Sequence, residues 1–225
     1  EEDTVGAIDA ARNAFENWQF TSLSERGSYM DQFRDILMDN IDIMAEVVVK
    51  ELGCGIKFAK NIHLKSYIDD IDNYIDMVKN YNFLEDYGEF TVRKEPIGVV
   101  AAITPWNYPF GQITKKIVPA LLAGNTVVLK PSQQTPLIAY HLTDAIDKAG
   151  FPSGVFNLIP GVGGEVGDVL ARNTLVDMVS FTGSTIGGIK VGQIALQDVK
   201  KIALELGGKS ASIVLEDADI EVAVR

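Results

Sequence analysis

With 225 residues the chain is long enough to bury a sizeable core unaided, and its 47% hydrophobic and 23% charged composition is that of an ordinary globular protein. A formal net charge of −11 leaves no basic face to neutralise phosphates, which argues against a nucleic-acid partner, and no apolar run is long enough to span a bilayer. Cys54 is the only cysteine, so an internal disulfide is excluded. A reducing compartment and a cytoplasmic location are expected. The opening Glu1-Glu2-Asp3-Thr4 has neither a basic nor an apolar leader and no Met, so the expectation is no secretory signal and a trimmed N-terminus.

The first eighty or so residues read as helices. Val5, Ile8, Ala11, Phe15 and Trp18 recur at helical spacing, as do Met30, Phe33, Leu37, Ile41 and Met44. A third amphipathic stretch carries Ile68, Ile71, Ile75, Met77 and Val78, with Asp69, Asp70, Asp72 and Asp76 forming a solvated face rather than a metal loop. Near residue 90 the pattern changes. Phe90 to Arg93 alternates like a strand, and Pro96 to Ile103 reads as a buried one. Four more apolar runs follow, at 126–129, 155–159, 177–181 and 201–204, alternating with helix-length segments at 111–123, 136–149, 164–173 and 186–197. Continuous apolar runs suit strands covered on both faces. Their alternation with helices predicts βαβ units, hence an α/β fold with a Rossmann-like parallel sheet, flanking helices and an N-terminal helical segment.

In such a sheet ligands bind beyond the carboxyl ends of the strands. The residues there are Thr104-Pro105-Trp106-Asn107, Lys130-Pro131-Ser132, Pro160 to Gly163, Thr182-Gly183-Ser184, and Glu205 to Gly208. They are far apart in sequence, yet this topology brings them to one rim. Two phosphate motifs fail. Gly208-Lys209-Ser210 ends like a P-loop, but the first glycine of that loop falls on Ala203, and a strand-like run, Ala211 to Leu215, follows where a helix is required. In the glycine cluster Gly161 to Gly167 the last glycine comes one position late for the dinucleotide fingerprint. Around Phe181-Thr182-Gly183-Ser184-Thr185, Gly183 suits a strand-to-helix turn, and Ser184 or Thr185 suits a helix cap. That helix start either receives a pyrophosphate or is simply capped; the local residues leave both open.

Thr104-Pro105-Trp106-Asn107-Tyr108-Pro109, Lys130-Pro131-Ser132, Phe181 to Thr185 and Leu204 to Ser210 together resemble the signature segments of the aldehyde dehydrogenase superfamily, in the family's order and over essentially the whole chain. The resemblance implies NAD(P)-dependent oxidation of a small aldehyde to a carboxylic acid. The route is thiolate attack, hydride transfer to the nicotinamide, and hydrolysis of a thioester. It implies Asn107 as the oxyanion donor and Glu205 as the general base, partly buried with a raised pKa at the end of an apolar strand. Lys116 matches a lysine near the active site that positions groups or relays protons, and equally suits a helix surface. Cofactor contacts are implied for Thr104, Pro105, Trp106, Lys130, Ser132, Gln133, Gly163, Gly167, Phe181, Thr182, Gly183, Ser184, Leu206 and Gly207. Among these, Gly163 and Gly183 would let the protein backbone approach the cofactor where a side chain would intrude, and Trp106 and Phe181 would pack at the border of that cleft. Many NAD-preferring members have a glutamate where this chain has Gln133; an amide does not repel a 2′-phosphate, so NAD and NADP both stay open.

The resemblance also divides the chain. Residues 1–207 match the dinucleotide-binding domain, helical over 1–85, with an oligomerisation strand over 86–95 and the Rossmann-like part over 96–207. Residues 208–225 match the start of the catalytic domain. The family's nucleophilic cysteine lies beyond the Glu205 position, where this chain has none, and Cys54 reads as a loop or packing cysteine. A homo-oligomer is implied for the full-length protein, with the chain alone inactive. The alternative is a dinucleotide-binding module without catalysis.

Overall fold

The structure is a computed structural model describing residues 1–224. Helices α1 (Glu2–Trp18), α2 (Leu23–Asp39) and α3 (Ile41–Leu52) come first. Ser22 caps α2 by accepting from the Glu25 N–H at 3.1 Å. The Met30-to-Met44 periodicity therefore spans two helices rather than one. They part at Asn40, whose side-chain amide donates to the Ile36 carbonyl at 2.7 Å, the local competition that disfavours asparagine inside helices. A continuous helical run follows: α4 (Ile56–Phe58), a π-helical stretch Ala59–Lys65, and α5 (Ser66–Lys79). Ile68, Ile71 and Ile75 of α5 are buried as their spacing predicts, but Met77 is 61% exposed.

The expected strand over 86–95 is a separate antiparallel ribbon of β1 (Leu84–Asp86) and β2 (Thr91–Arg93). The main sheet comprises β3 (Val99–Ile103), β4 (Thr126–Lys130), β5 (Phe156–Leu158), β6 (Met178–Thr182) and β7 (Lys201–Glu205). It is parallel throughout, in the order β5-β4-β3-β6-β7. Between these strands lie α6 (Pro109–Leu122), α7 (Leu137–Lys148), α8 (Asp168–Arg172) and α9 (Thr185–Ala195). The helix expected over 164–173 is a π-helical turn, Gly163–Gly167, running into α8. Successive residues of β3 serve opposite layers. Val100 and Ala102 join the larger core with α2, α3, α5, α6 and α7, whereas Val99, Ala101 and Ile103 join a second core with α1, α8 and α9. That division explains why the strand reads as an unbroken apolar run.

Beyond β7 the chain has no regular structure until α10 (Ile220–Ala223). The strand-like run Ala211 to Leu215 is not a strand. No strand among the described residues pairs with it, and Ile213 and Leu215 are 81% and 65% exposed.

The start of β3 is held by side chains distant in sequence. Asp177 Oδ2 accepts the Val99 N–H at 2.7 Å and is itself held by Arg12 at 2.5 Å. Asn125 Oδ1 accepts the Ile97 and Gly98 N–H groups at 2.7 and 3.1 Å. Gly98 has φ +127°, and a Cβ there would run into the Asp177 carboxylate. Gly98→Ala is therefore expected to destabilise the fold by about 2–4 kcal/mol, through backbone strain plus loss of the Asp177 contact. Urea unfolding measures this, and a change below about 0.5 kcal/mol would contradict the anchoring role.

Candidate functional site

The chain runs outward from β3 to β4 and β5, then returns to lay β6 on the other side of β3. The switch point of the sheet therefore lies between the carboxyl ends of β3 and β6, where a ligand crevice is expected. A crevice of about 1510 Å³ opens there. Every residue to which the resemblance assigns a catalytic or cofactor role lines it, from Thr104 to Asn107 on one side through Gly163, Gly167 and Gly183 to Gly207 on the other, whereas Pro131, Pro160 and Gly161 do not.

Asn107 sits exposed on the turn between β3 and α6. That turn is braced where the Tyr108 ring stacks on His63 at 4.5 Å and Pro109 opens α6. Thr135 Oγ1 donates to the Trp106 carbonyl at 3.4 Å, tying the same turn to the loop after β4. Lys116, half-buried on α6, reaches the sheet: its Nζ donates to Ser180 Oγ of β6 at 2.8 Å. Burial pushes the Lys116 ammonium down to about 8, while the Glu205 carboxylate pulls the other way. Glu205 closes β7 and faces the same crevice. It is exposed, not partly buried as expected, because among the described residues nothing covers the end of β7, the last strand in the sheet order.

Thr104 is 5% exposed, lines the crevice, and its Oγ1 has no hydrogen-bond partner among the described residues. Lys130 is 4% exposed; its Nζ donates to the Pro131 carbonyl at 2.9 Å, and burial lowers its pKa. Ser132 Oγ accepts the Gln134 N–H at 3.2 Å, and Gln133 stands exposed beside it. Of the two candidate caps, Ser184 caps α9, accepting the Gly187 N–H at 3.1 Å, and Thr185 is the first residue of the helix. Pro105, Thr182, Leu206 and Gly207 complete the rim.

One expectation about this rim changes, at Trp106, and Gly183 has a second cause. Gly183 lacks a side chain for an internal reason: a Cβ would lie 2.7 Å from Cζ of the Phe181 ring. At Gly163, by contrast, a Cβ would meet nothing within 4 Å among the described residues, so of these two glycines Gly163 is the one that borders open crevice. Trp106 is 54% exposed rather than packed, whereas Phe181 is buried. The sequence reading missed Ser180, whose signal was a hydroxyl in the middle of an otherwise apolar strand. It also missed Gln112 and Lys115, which line the crevice from α6. Cys54, the one thiol, is half-buried between α3 and α4 against the helical core and is not part of the crevice lining.

The Lys116 geometry has a consequence for stability. A lysine whose pKa is lowered on folding resists carrying its charge in the fold. This penalty is full below about pH 8 and fades as pH rises to the unfolded lysine's ordinary value. Lys116→Met is expected to raise the urea midpoint at pH 7, with the advantage shrinking toward pH 11. A variant no more stable than wild type at pH 7 would contradict the burial argument.

The aldehyde dehydrogenase family profile matches residues 1–225. The 3-succinoylsemialdehyde-pyridine dehydrogenase of a Pseudomonas species is 42% identical over 226 residues, covering 100% of this chain and 47% of that protein. Aldehyde dehydrogenase C of Pseudomonas syringae, solved as a Cys-to-Ala mutant with NAD+ and octanal, superposes with a TM-score of 0.97 at 40% identity, over 99% of this chain and 46% of that one. An NADP dependent enzyme of E. coli superposes with a TM-score of 0.94 at 39% identity, over 99% and 47%. The chain spans about half the length of these relatives. With the profile match running from the first residue to the last, the chain belongs to the aldehyde dehydrogenase family.

Proposed function

We propose that this crevice binds a nicotinamide dinucleotide, and that the chain is the cofactor-binding part of an enzyme oxidising a small aldehyde to a carboxylic acid. The observation that carries the reading is convergence at the switch point. There the capped start of α9, the buried unpartnered Thr104 hydroxyl and the open space at Gly163 face one crevice. A helix start presents N–H donors and positive potential to a phosphate, and the orphaned Thr104 Oγ1 fits a polar ligand atom. The bound NAD+ and octanal of the Pseudomonas syringae relative support the same reading. When bound, the nicotinamide supplies the hydride acceptor.

In this reading residues 1–207 form the cofactor domain and 208–225 begin the catalytic domain. Asn107, on its braced turn, donates to the developing oxyanion, and Glu205 is the base that takes a proton at the crevice mouth. Lys116 holds a positive charge near that carboxylate. The thioester would form on a cysteine outside this chain, because Cys54 stands away from the crevice. The same reading carries a cytoplasmic location and a homo-oligomer for the whole protein. In the latter, the β1–β2 ribbon, with Tyr87, Phe90 and Val92 exposed, is the element that meets another copy.

Gln133 decides the coenzyme in this account. NAD+ and NADP+ are both expected to bind the chain, and Gln133→Glu is expected to weaken NADP+ relative to NAD+ by about tenfold, since a carboxylate there repels the 2′-phosphate. Isothermal titration of both proteins with both dinucleotides reads this directly. Absence of binding by wild type would overturn the cofactor assignment, and an unchanged ratio would remove Gln133 from it. With NAD+ and an aldehyde the chain alone is expected to yield no NADH absorbance; turnover would contradict the assignment of the thiol to another segment.

A further inference from the structure

Lys116 Nζ has one hydrogen-bond partner among the described residues, Ser180 Oγ. The sheet beneath it is made for that reach. Ala102 of β3, Ser180 of β6 and Ala203 of β7 lie in one register row, and Ala102 belongs to the core packed by α6. In parallel register the three side chains share a face, so Ser180 stands between two methyl groups on the side from which Lys116 descends. A larger residue in this row would fill the groove that the lysine stem crosses. Glu205 lies two residues beyond Ala203 on β7 and thus on the same face, near enough for its charge to act on the ammonium. Lys116, Ser180, Ala203 and Glu205 all line the crevice.

The ammonium is thereby held by a hydroxyl acceptor from one strand, and the carboxylate of the next acts on it through space, without a direct ion pair among the described residues. Nothing in β-sheet pairing requires a hydroxyl at 180; serine is not among the residues that favour strands. Its neighbours in the row show that alanine would fit the space, so the hydroxyl is there for its polarity. We propose that Ser180 is a positioning residue whose Oγ holds the Lys116 ammonium beside Glu205, so that the lysine's charge acts on the carboxylate used as base. The proposal rests on the aldehyde-oxidation reading for the base role of Glu205, and on the hydrogen bond for the rest.

The test is the titration of Lys116 in the 225-residue chain, followed by NMR of labelled lysine Nζ and Cε and assigned by the signal lost in Lys116→Met. Wild type is expected to titrate near 8. Ser180→Ala removes an acceptor that favours the charged form, so the midpoint should fall by about one pH unit. Ser180→Thr keeps the hydroxyl and should restore it. Glu205→Gln should also lower the midpoint, and by less than half as much in the Ser180→Ala background, where the ammonium is no longer tethered. Should Ser180→Ala not fold, Ser180→Cys, whose sulfur is a weak acceptor, takes its place with the same expectation. An unchanged midpoint in the variant, no restoration by threonine, or an undiminished Glu205 effect overturns the positioning role. NAD+ titration of wild type runs in parallel. Failure to bind overturns the cofactor reading alone, while the Lys116 midpoints judge Ser180 independently.

Discussion

Asp177 accepting the Val99 N–H fixes where β3 begins, and the rest of the site follows from that start. Because Arg12 of α1 holds the same carboxylate, the first helix and the central strand share one polar anchor beneath the sheet. Asn125 supplies a second anchor from the residue before β4, so the three inner strands are aligned at their amino ends by side chains rather than by the ladder alone. A slip of one residue in β3 would exchange its two buried faces and move Thr104 away from the switch point. The crevice is thus set from the opposite end of the sheet.

The inner strands bring mostly apolar residues to both layers, and polar residues gather just at or beyond their carboxyl ends. Thr104, Lys130, Thr182 and Glu205 each end or follow a strand, and each borders the crevice. Burial decides how differently they behave. Lys130 is enclosed and satisfied by a neighbouring carbonyl, Thr104 is enclosed and unsatisfied, and Glu205 stands in the open. An enclosed, unsatisfied hydroxyl costs free energy, on the order of 1–3 kcal/mol, which a ligand atom would recover.

Much of this was legible in the sequence. Unbroken apolar runs between helix-length segments specified a parallel sheet, and the segments after each run are the ones that meet. Ser184 was legible as a cap because it follows a strand-end glycine. Other features depend on contacts that no local pattern encodes. Ala211 to Leu215 has the composition of a strand, but a strand needs a neighbour and none among the described residues pairs with it. Glu205 ends an apolar run and so suggested burial, yet its strand is the last in the sheet order. Gly183 was legible as a turn glycine, but the clash that a side chain there would make with the Phe181 ring, two residues back along the chain, shows only in the folded turn. Ser180 was the least legible, because its meaning lies in a lysine 64 residues earlier.

The account stands on the crevice at the switch point being the dinucleotide site. Amide hydrogen exchange of the chain with and without NAD+ tests that most directly. The account predicts new protection confined to the turn Thr104 to Asn107 and to Gly183 through Gly187, the two segments that flank the switch. Protection confined to α2 and α3, or none at saturating NAD+, would contradict it.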